Sequence, residues 1–282
     1  MSSASVITLT RNRDCHLQRL IAGLRCSGIP PLELIVVDMG DRPACLPDLP
    51  FPAYRLPFAN EALPLAAARN KGARDAGGDH LLFLDVDCIP RQDLIALMID
   101  ALRLQDALIC AEVRYLGPNE RHLILDEEML NVAIPHPIRE FPLSGLRPES
   151  NPGLFWSLTF GIRRDSFIGL GGFDEQFIGY GAEDTDFGLR AVDAALPLLF
   201  LGGTGSFHQH HDVYSPPLQH VEDIVRNANR FHAKWGFWPM EGWLAEFEAM
   251  GLTRSSQKEL ILVRKPTRIE LDAARKSCSH RF

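Results

Sequence analysis

The chain has no run of about 18 uninterrupted apolar residues, the length that spans a bilayer, so no transmembrane helix is expected. It does not open on a signal peptide either: MSSASVITLTRNR passes from a short polar lead straight into a strand-like segment. A soluble, cytoplasmic protein is the expectation. The six cysteines, Cys15, Cys26, Cys45, Cys88, Cys110 and Cys278, lack CxxC spacing, which argues against a zinc knuckle or a disulfide framework and predicts reduced, mostly packed thiols. No GxGxxG opens the first helix, which excludes a Rossmann dehydrogenase. Basic residues are also short, with a formal net charge of -7, and this excludes a general nucleic-acid binder, which meets phosphates with excess Lys and Arg. Repeats and low-complexity tracts are absent, and 46% hydrophobic residues exclude disorder.

What is present is an alternation. Strand-like Val6 to Thr10 precedes a helical segment from Asp14 to Cys26, then strand-like Leu32 to Asp38 and helical Leu63 to Ala76. His80 to Asp85 and Ala107 to Tyr115 read as further strands around a helix from Asp93 to Leu104. This pattern predicts an α/β protein with a mixed, mostly parallel sheet flanked by helices, and ligands collect at the carboxyl ends of such strands. Asp38 and Asp85 both fall at such ends. A short helix is expected near Leu123 to Val132, then an aperiodic, proline-rich loop from Ile134 to Pro152, a strand from Trp156 to Arg163, a helix from about Ala182, a strand over Leu198 to Leu201 and a helix over His220 to Ala233. Residues 1–235 are read as one domain and 236–282 as a helical, basic extension. From Arg254 onward eight Lys and Arg stand against three acids, so a peripheral contact with an anionic membrane surface is one expectation for this tail.

Three constellations carry chemistry. Asp85-Val86-Asp87 ends an apolar strand, and alternation puts both carboxylates on one side, where they suit a hard divalent cation. Glu183 and Asp184 follow a glycine-dense stretch at a helix start, where the positive end of the helix dipole keeps acids ionised and fit to act as a general base. In Phe207-His208-Gln209-His210-His211, imidazoles offer metal ligands; on an extended chain His208 and His210 share a face and His211 points away.

Together with TLTRNR at Thr8 to Arg13, VVDMGD at Val36 to Asp41, AAARNKGA at Ala66 to Ala73 and FLDVDC at Phe83 to Cys88, the run GGFDEQFIGYGAEDTDFGLR makes the chain resemble inverting glycosyltransferases of the GT-A fold. The N-terminal half is similar to glycosyltransferase family 2, and the C-terminal motif is of galactosyltransferase type. The resemblance implies a Rossmann-like nucleotide-binding domain that moves a hexose, galactose or N-acetylgalactosamine favoured, from a UDP-sugar to a glycan or glycolipid hydroxyl in polysaccharide biosynthesis. It implies Thr8, Arg11, Asn12, Asp38, Arg69, Asn70, Asp85 and Asp87 at the donor nucleotide and sugar. Asp87, Asp85, His208 and His210 are the implied candidates for holding Mn2+ or Mg2+. Asp184 becomes the base and Glu183 its partner at the donor or acceptor hydroxyls. Trp156, Phe155 and Tyr180 are implied on the acceptor side. Two other classes compete: a non-catalytic nucleotide-sugar or glycan-binding protein of the same fold, and a nucleotidyltransferase. The coexistence of DxD, ED and His opposes the first, and the lack of glycines in TLTRNR opposes the second.

Overall fold

The computed structural model describes residues 3–58, 63–123, 126–256 and 258–276. A mixed ten-stranded sheet runs through it. The first half interleaves β1 (Ala4–Thr10), α1 (Asp14–Arg25), β2 (Glu33–Asp38), β3 (Ala53–Pro57), α2 (Leu65–Asp75), β4 (His80–Leu84), β5 (Cys88–Pro90), α3 (Leu94–Leu104) and β6 (Leu108–Tyr115). Then come α4 (Asp126–Val132), β7 (Ile134–Pro135), β8 (Gly145–Pro148), β9 (Thr159–Arg163), α5 (Arg164–Gly169), α6 (Glu183–Asp193), β10 (Leu198–His208), α7 (Val221–Trp235) and α8 (Glu241–Ala249). The strand order is β3-β2-β1-β4-β9-β6-β10-β5, with β7 beside β6 and β8 beside β10. Parallel pairs join β3 to β2, β2 to β1, β1 to β4 and β6 to β10. Antiparallel β9 lies between β4 and β6.

The two faces of the sheet follow the alternation of side chains along each strand. Val6, Leu34, Val36, Leu82 and Leu84 pack with Leu17, Leu20 and Leu24 of α1 and Met98 and Leu102 of α3. Their neighbours Ile7, Ile35, Val37, Leu81 and Phe83 face the other way, onto α2, Phe167 of α5 and Phe187 of α6. Phe83 stacks on Phe160 with centroids 4.6 Å apart, and Phe173 stacks on Phe187 at 4.2 Å. Each fully buried aromatic of this kind is worth about 1.5–3 kcal/mol in transfer free energy, so this layer fixes α6 and the acids at its start against the sheet.

Three expectations need correction, and one strand is added. The stretch from Ile134 to Pro152 is not free of regular structure, because β7 and β8 add short edge strands to β6 and β10. The strand expected over Leu198 to Leu201 is longer: β10 runs from Leu198 through GGTG to His208, with its register shifting between Leu201 and Gly205. The edge strand β3 is an addition that the pattern does not announce. Of the described cysteines, Cys15, Cys26 and Cys45 are exposed while Cys88 and Cys110 are buried, so packing holds for fewer than expected; Cys278 lies outside the described residues.

Beyond the sheet, Leu218, Val221, Ile224 and Ala228 form a separate apolar cluster with Leu244, Phe247, Leu252, Leu260 and Ala274. It spans both sides of the 235/236 division. Three of the basic residues there are paired: Lys265 with Glu222 at 2.8 Å, Arg264 with Glu270 at 2.7 Å and Arg268 with Asp272 at 3.1 Å. This pairing gives a membrane contact no support. Among the described residues no helix is long and apolar enough to cross a membrane.

Candidate active site at the carboxyl end of the sheet

β4 delivers Asp85 and Asp87 into a turn, and their carboxylates part company. Asp87, 7% exposed, lies with Oδ2 2.8 Å from Nη1 of Arg13 and 3.3 Å from Nε2 of His211, and with Oδ1 3.5 Å from Nε2 of His208. Asp87, His208 and His211 offer ligand atoms that all lie within 4.8 Å of one another. The expected sharing of a face by His208 and His210 therefore does not occur. The strand ends at His208, the chain turns, and it is His211 that comes back to Asp87, while His210 is buried outside the trio. Asp85 is also outside it; its Oδ1 lies 3.6 Å from Nη2 of Arg69.

Electrostatics suit these groups to a cation. Burial opposes the charge on Asp87, but His208, a hydrogen bond from His211 and Arg13 outweigh it and hold the carboxyl well below the usual range. Burial disfavours the charged form of His208, against the pull of Asp87, and a ring that gives up its proton becomes a metal ligand. Oδ1 of Asp87 is buried with no hydrogen-bond partner among the described residues, and such an orphan is costly unless something fills it. Two imidazoles and a carboxylate make a donor set for a divalent metal; the carboxylate suits Mn2+, and the imidazoles extend the choice toward Fe2+ or Zn2+.

Across the site, α6 begins after Gly179 and Gly181, at φ 82° and 95°, conformations that favour glycine. A Cβ on Gly179 would also strike the Asp223 carboxylate. Glu183, 5% exposed, accepts from Nη1 of Arg69 at 3.2 Å, and Asp184 accepts from the backbone N–H of Thr185 at 2.8 Å. The dipole does not decide the ionisation of Asp184. Burial, then the charge of Glu183, raise it to about 7, against the opposing influence of Arg69 and the Thr185 N–H. Asp85 is raised to about 7 by burial, with Arg69 opposing and Asp87 and Glu183 adding to the rise. Asp186, the other acid of this run, is fully buried and accepts from Trp235 Nε1 at 2.9 Å and Arg190 Nε at 2.8 Å, so it ties α6 to α7.

The remaining candidates are placed unevenly. Asp38 already accepts from the N–H groups of Gly40 at 2.9 Å and Ala44 at 2.7 Å and from Arg55 at 3.3 Å, so it shapes the loop after β2. Asn12, at φ 56°, exchanges hydrogen bonds with Asp41 across that loop, and Arg11 is half-buried beside it. Thr8 is 1% exposed inside β1, away from any surface a ligand could touch. Asn70 is spent on Phe173, donating to its carbonyl at 2.9 Å and accepting from its N–H at 2.8 Å; a Cβ at neighbouring Gly172 would strike it. Tyr180 stacks on His220 at 4.5 Å, Trp156 meets His136 edge-on at 4.8 Å, and Phe155 is fully buried, which removes it from a sugar-facing role. Arg13 at Asp87 is not among the sequence candidates, and His211, expected to point away, faces Asp87; both depend on contacts across more than 70 residues, for which spacing carries no signal.

The sheet order, with acids and imidazoles gathered at its carboxyl end, defines a GT-A type domain. The chain belongs to the family described as glycosyltransferase like family 2, whose profile matches residues 33–200. It is 26% identical over 260 residues to a validoxylamine A glucosyltransferase of Streptomyces hygroscopicus subsp. limoneus, covering 82% of this chain and 56% of that protein, so the chain spans little more than half of that relative's length. Among solved structures it resembles S. aureus TarS 1-349 in complex with UDP-GlcNAc, with TM-score 0.57 and 14% identity over 87% of this chain and 76% of that one. It also resembles GalNAc-T7 with UDP, GalNAc and Mn2+, with TM-score 0.55 and 15% identity over 74% of this chain and 43% of that one. These likenesses speak to fold.

Proposed function

We propose that this protein is a metal-dependent, inverting hexosyltransferase that takes a UDP-hexose and glycosylates a hydroxyl of a glycan or glycolipid. The observation that carries the reading is the division of the site. An Asp-His-His trio lies on one side, and a carboxyl raised to about 7 lies on the other, with Arg69 between their elements. The sugars named for these relatives are glucose, N-acetylglucosamine and N-acetylgalactosamine, which favours a neutral hexose or its N-acetylated form over a charged sugar; galactose remains within that class.

Asp184 accepts the proton of the acceptor hydroxyl as its oxygen attacks the anomeric carbon. The bond from that carbon to the diphosphate oxygen breaks, and its electron pair leaves on UDP. A single displacement inverts the anomeric centre. Asp87, His208 and His211 would hold the divalent cation, which when bound offsets charge on the departing diphosphate. Glu183 orients Arg69 and borders the acceptor. Because the apolar cluster of α7 is completed by residues 244–274, we place that part of the extension with the transferase domain as one working unit.

Thermal stability measured with UDP, GDP, CDP and dTDP, each with Mn2+ and with EDTA, tests the reading. Selective stabilisation by UDP with Mn2+ is expected, since a ligand that binds only the folded state raises stability by mass action. Equal shifts with all four nucleotides, or no effect of EDTA, would sink the donor or the metal assignment respectively.

A further inference from the structure

The resemblance implies Arg69 as a donor contact, yet its surroundings leave it little to offer a donor. It is 4% exposed, its Nη2 donates to Ser157 Oγ at 2.8 Å and lies 3.6 Å from Asp85 Oδ1, and its Nη1 donates to Glu183 Oε1 at 3.2 Å. The Phe173 ring lies 5.2 Å from Cζ. Both terminal nitrogens are thus committed inside the protein, to the end of β4, to the segment before β9 and to the head of α6. The charged groups that face it are Asp85, Glu183 and Asp184. One guanidinium stands among three carboxylates, and their mutual repulsion would drive them apart without it. The next residue, Asn70, grips both backbone groups of Phe173, so consecutive residues of α2 anchor the glycine turn and the start of α6.

We propose that Arg69 is a positioning residue: its fork locks Asp85, on the donor side, and Glu183, on the acceptor side, into one arrangement and thereby holds Asp184 at the reacting hydroxyl. This rests on the glycosyl-transfer reading given above. The task demands Arg because a planar fork bonds two acceptors at fixed angles while a lysine ammonium is a single point. It also couples the two halves of the site electrically, since the guanidinium opposes the rise in Asp184.

The test uses Arg69→Lys and Arg69→Met in the full chain. Misplacing a reacting group by about 1 Å costs about 10²-fold, so kcat should fall by about that factor in Arg69→Met and less in Arg69→Lys. The dissociation constant for UDP with Mn2+ should stay near that of the wild type, and the acidic limb of kcat should move to higher pH. A rise in the UDP dissociation constant with kcat preserved would make Arg69 a donor ligand and overturn the proposal, as would an unmoved kcat. The carboxyl 13C resonance of Asp184, titrated without donor, keeps the test independent of catalysis and of the Met variant's folding. Its midpoint should shift in Arg69→Lys as well, even if wild-type protein transferred no sugar at all, and an unchanged titration would overturn the coupling.

Discussion

His211, not His210, faces Asp87, with its Nε2 3.3 Å from Oδ2. The difference of one residue follows from the chain leaving β10 at His208, and it makes the three histidines separable by experiment. His208→Ala and His211→Ala should each weaken Mn2+-dependent UDP binding by at least about tenfold, the scale on which metal sites respond to lost support, while His210→Ala leaves it intact. Calorimetry with Mn2+ and with EDTA reads this directly; a His210→Ala protein that alone lost metal dependence would reverse the assignment.

Asp184→Asn keeps the size of the side chain and removes its basicity. Transfer should fall by about 10² to 10⁴-fold, the usual worth of a general base, with UDP affinity nearly unchanged. Glu183→Gln should lower rate and disturb acceptor binding together, because Glu183 also orients Arg69. Near-normal transfer by Asp184→Asn alongside a dead Glu183→Gln would mean that the two acids have exchanged roles.

The pH dependence follows from the same carboxyl. With Asp184 raised from 3.8 to about 7 by burial and Glu183, the rate should climb with pH through an acidic limb near 7. Stability runs the other way. The folded protein holds this proton more tightly than the unfolded chain, so between about 4 and 7 the unfolded chain gives it up while the folded protein keeps it, and stability falls as pH rises. Asp184→Asn should therefore raise the melting temperature more at pH 8 than at pH 5, and equal gains at both would contradict a raised Asp184 carboxyl.

Gly179→Ala should destabilise by about 1–3 kcal/mol, the usual cost of overpacking. Its φ of 82° disfavours any side chain, and its Cβ meets Asp223. Chemical denaturation measures the loss, which should shrink in a Gly179→Ala, Asp223→Ala double variant because the clash is gone while the backbone strain stays.

The stretch from Ile134 to Pro152 is anchored at β7 and β8 and by Arg139, whose guanidinium lies 5.0 Å from the Trp156 ring and 5.1 Å from that of Phe200. Its tip is open, with Leu143 99% exposed. Limited proteolysis should cut first near Leu143, and saturating UDP-hexose with Mn2+ should slow the cut if this stretch borders the acceptor. First cleavage elsewhere, with no protection, would separate it from the site.

Much of this was legible in order along the chain. Short apolar runs gave β1, β2, β4 and β6 nearly to the residue, and DVD and ED marked the places where acids meet the carboxyl end of the sheet. Three things were not legible, each for a physical reason. β3, AYRLP, is a half-exposed edge strand with little apolar pattern to show. The ionisation of Asp184 depends on how deeply it is buried, which a helix-start position does not reveal. The partnerships of Arg13 and Arg69 are tertiary, joining residues 74 and 114 positions apart, and local spacing is silent about them.

β10 has a bearing on how this sequence can change over generations. A Cβ on Gly202 would collide with the carbonyl of Pro142, and one on Gly205 with the carbonyl of Glu112. At each end of the interruption between Leu201 and Gly205, then, another strand's or loop's backbone presses too close for any side chain. Side chains alternate along a strand, so adding or losing one residue here would turn His208 to the opposite face of the sheet and away from Asp87. A segment whose composition suggests a tolerant surface loop is instead one whose length is counted out to the residue, and insertions that succeed in this chain should be found outside Leu201 to His208.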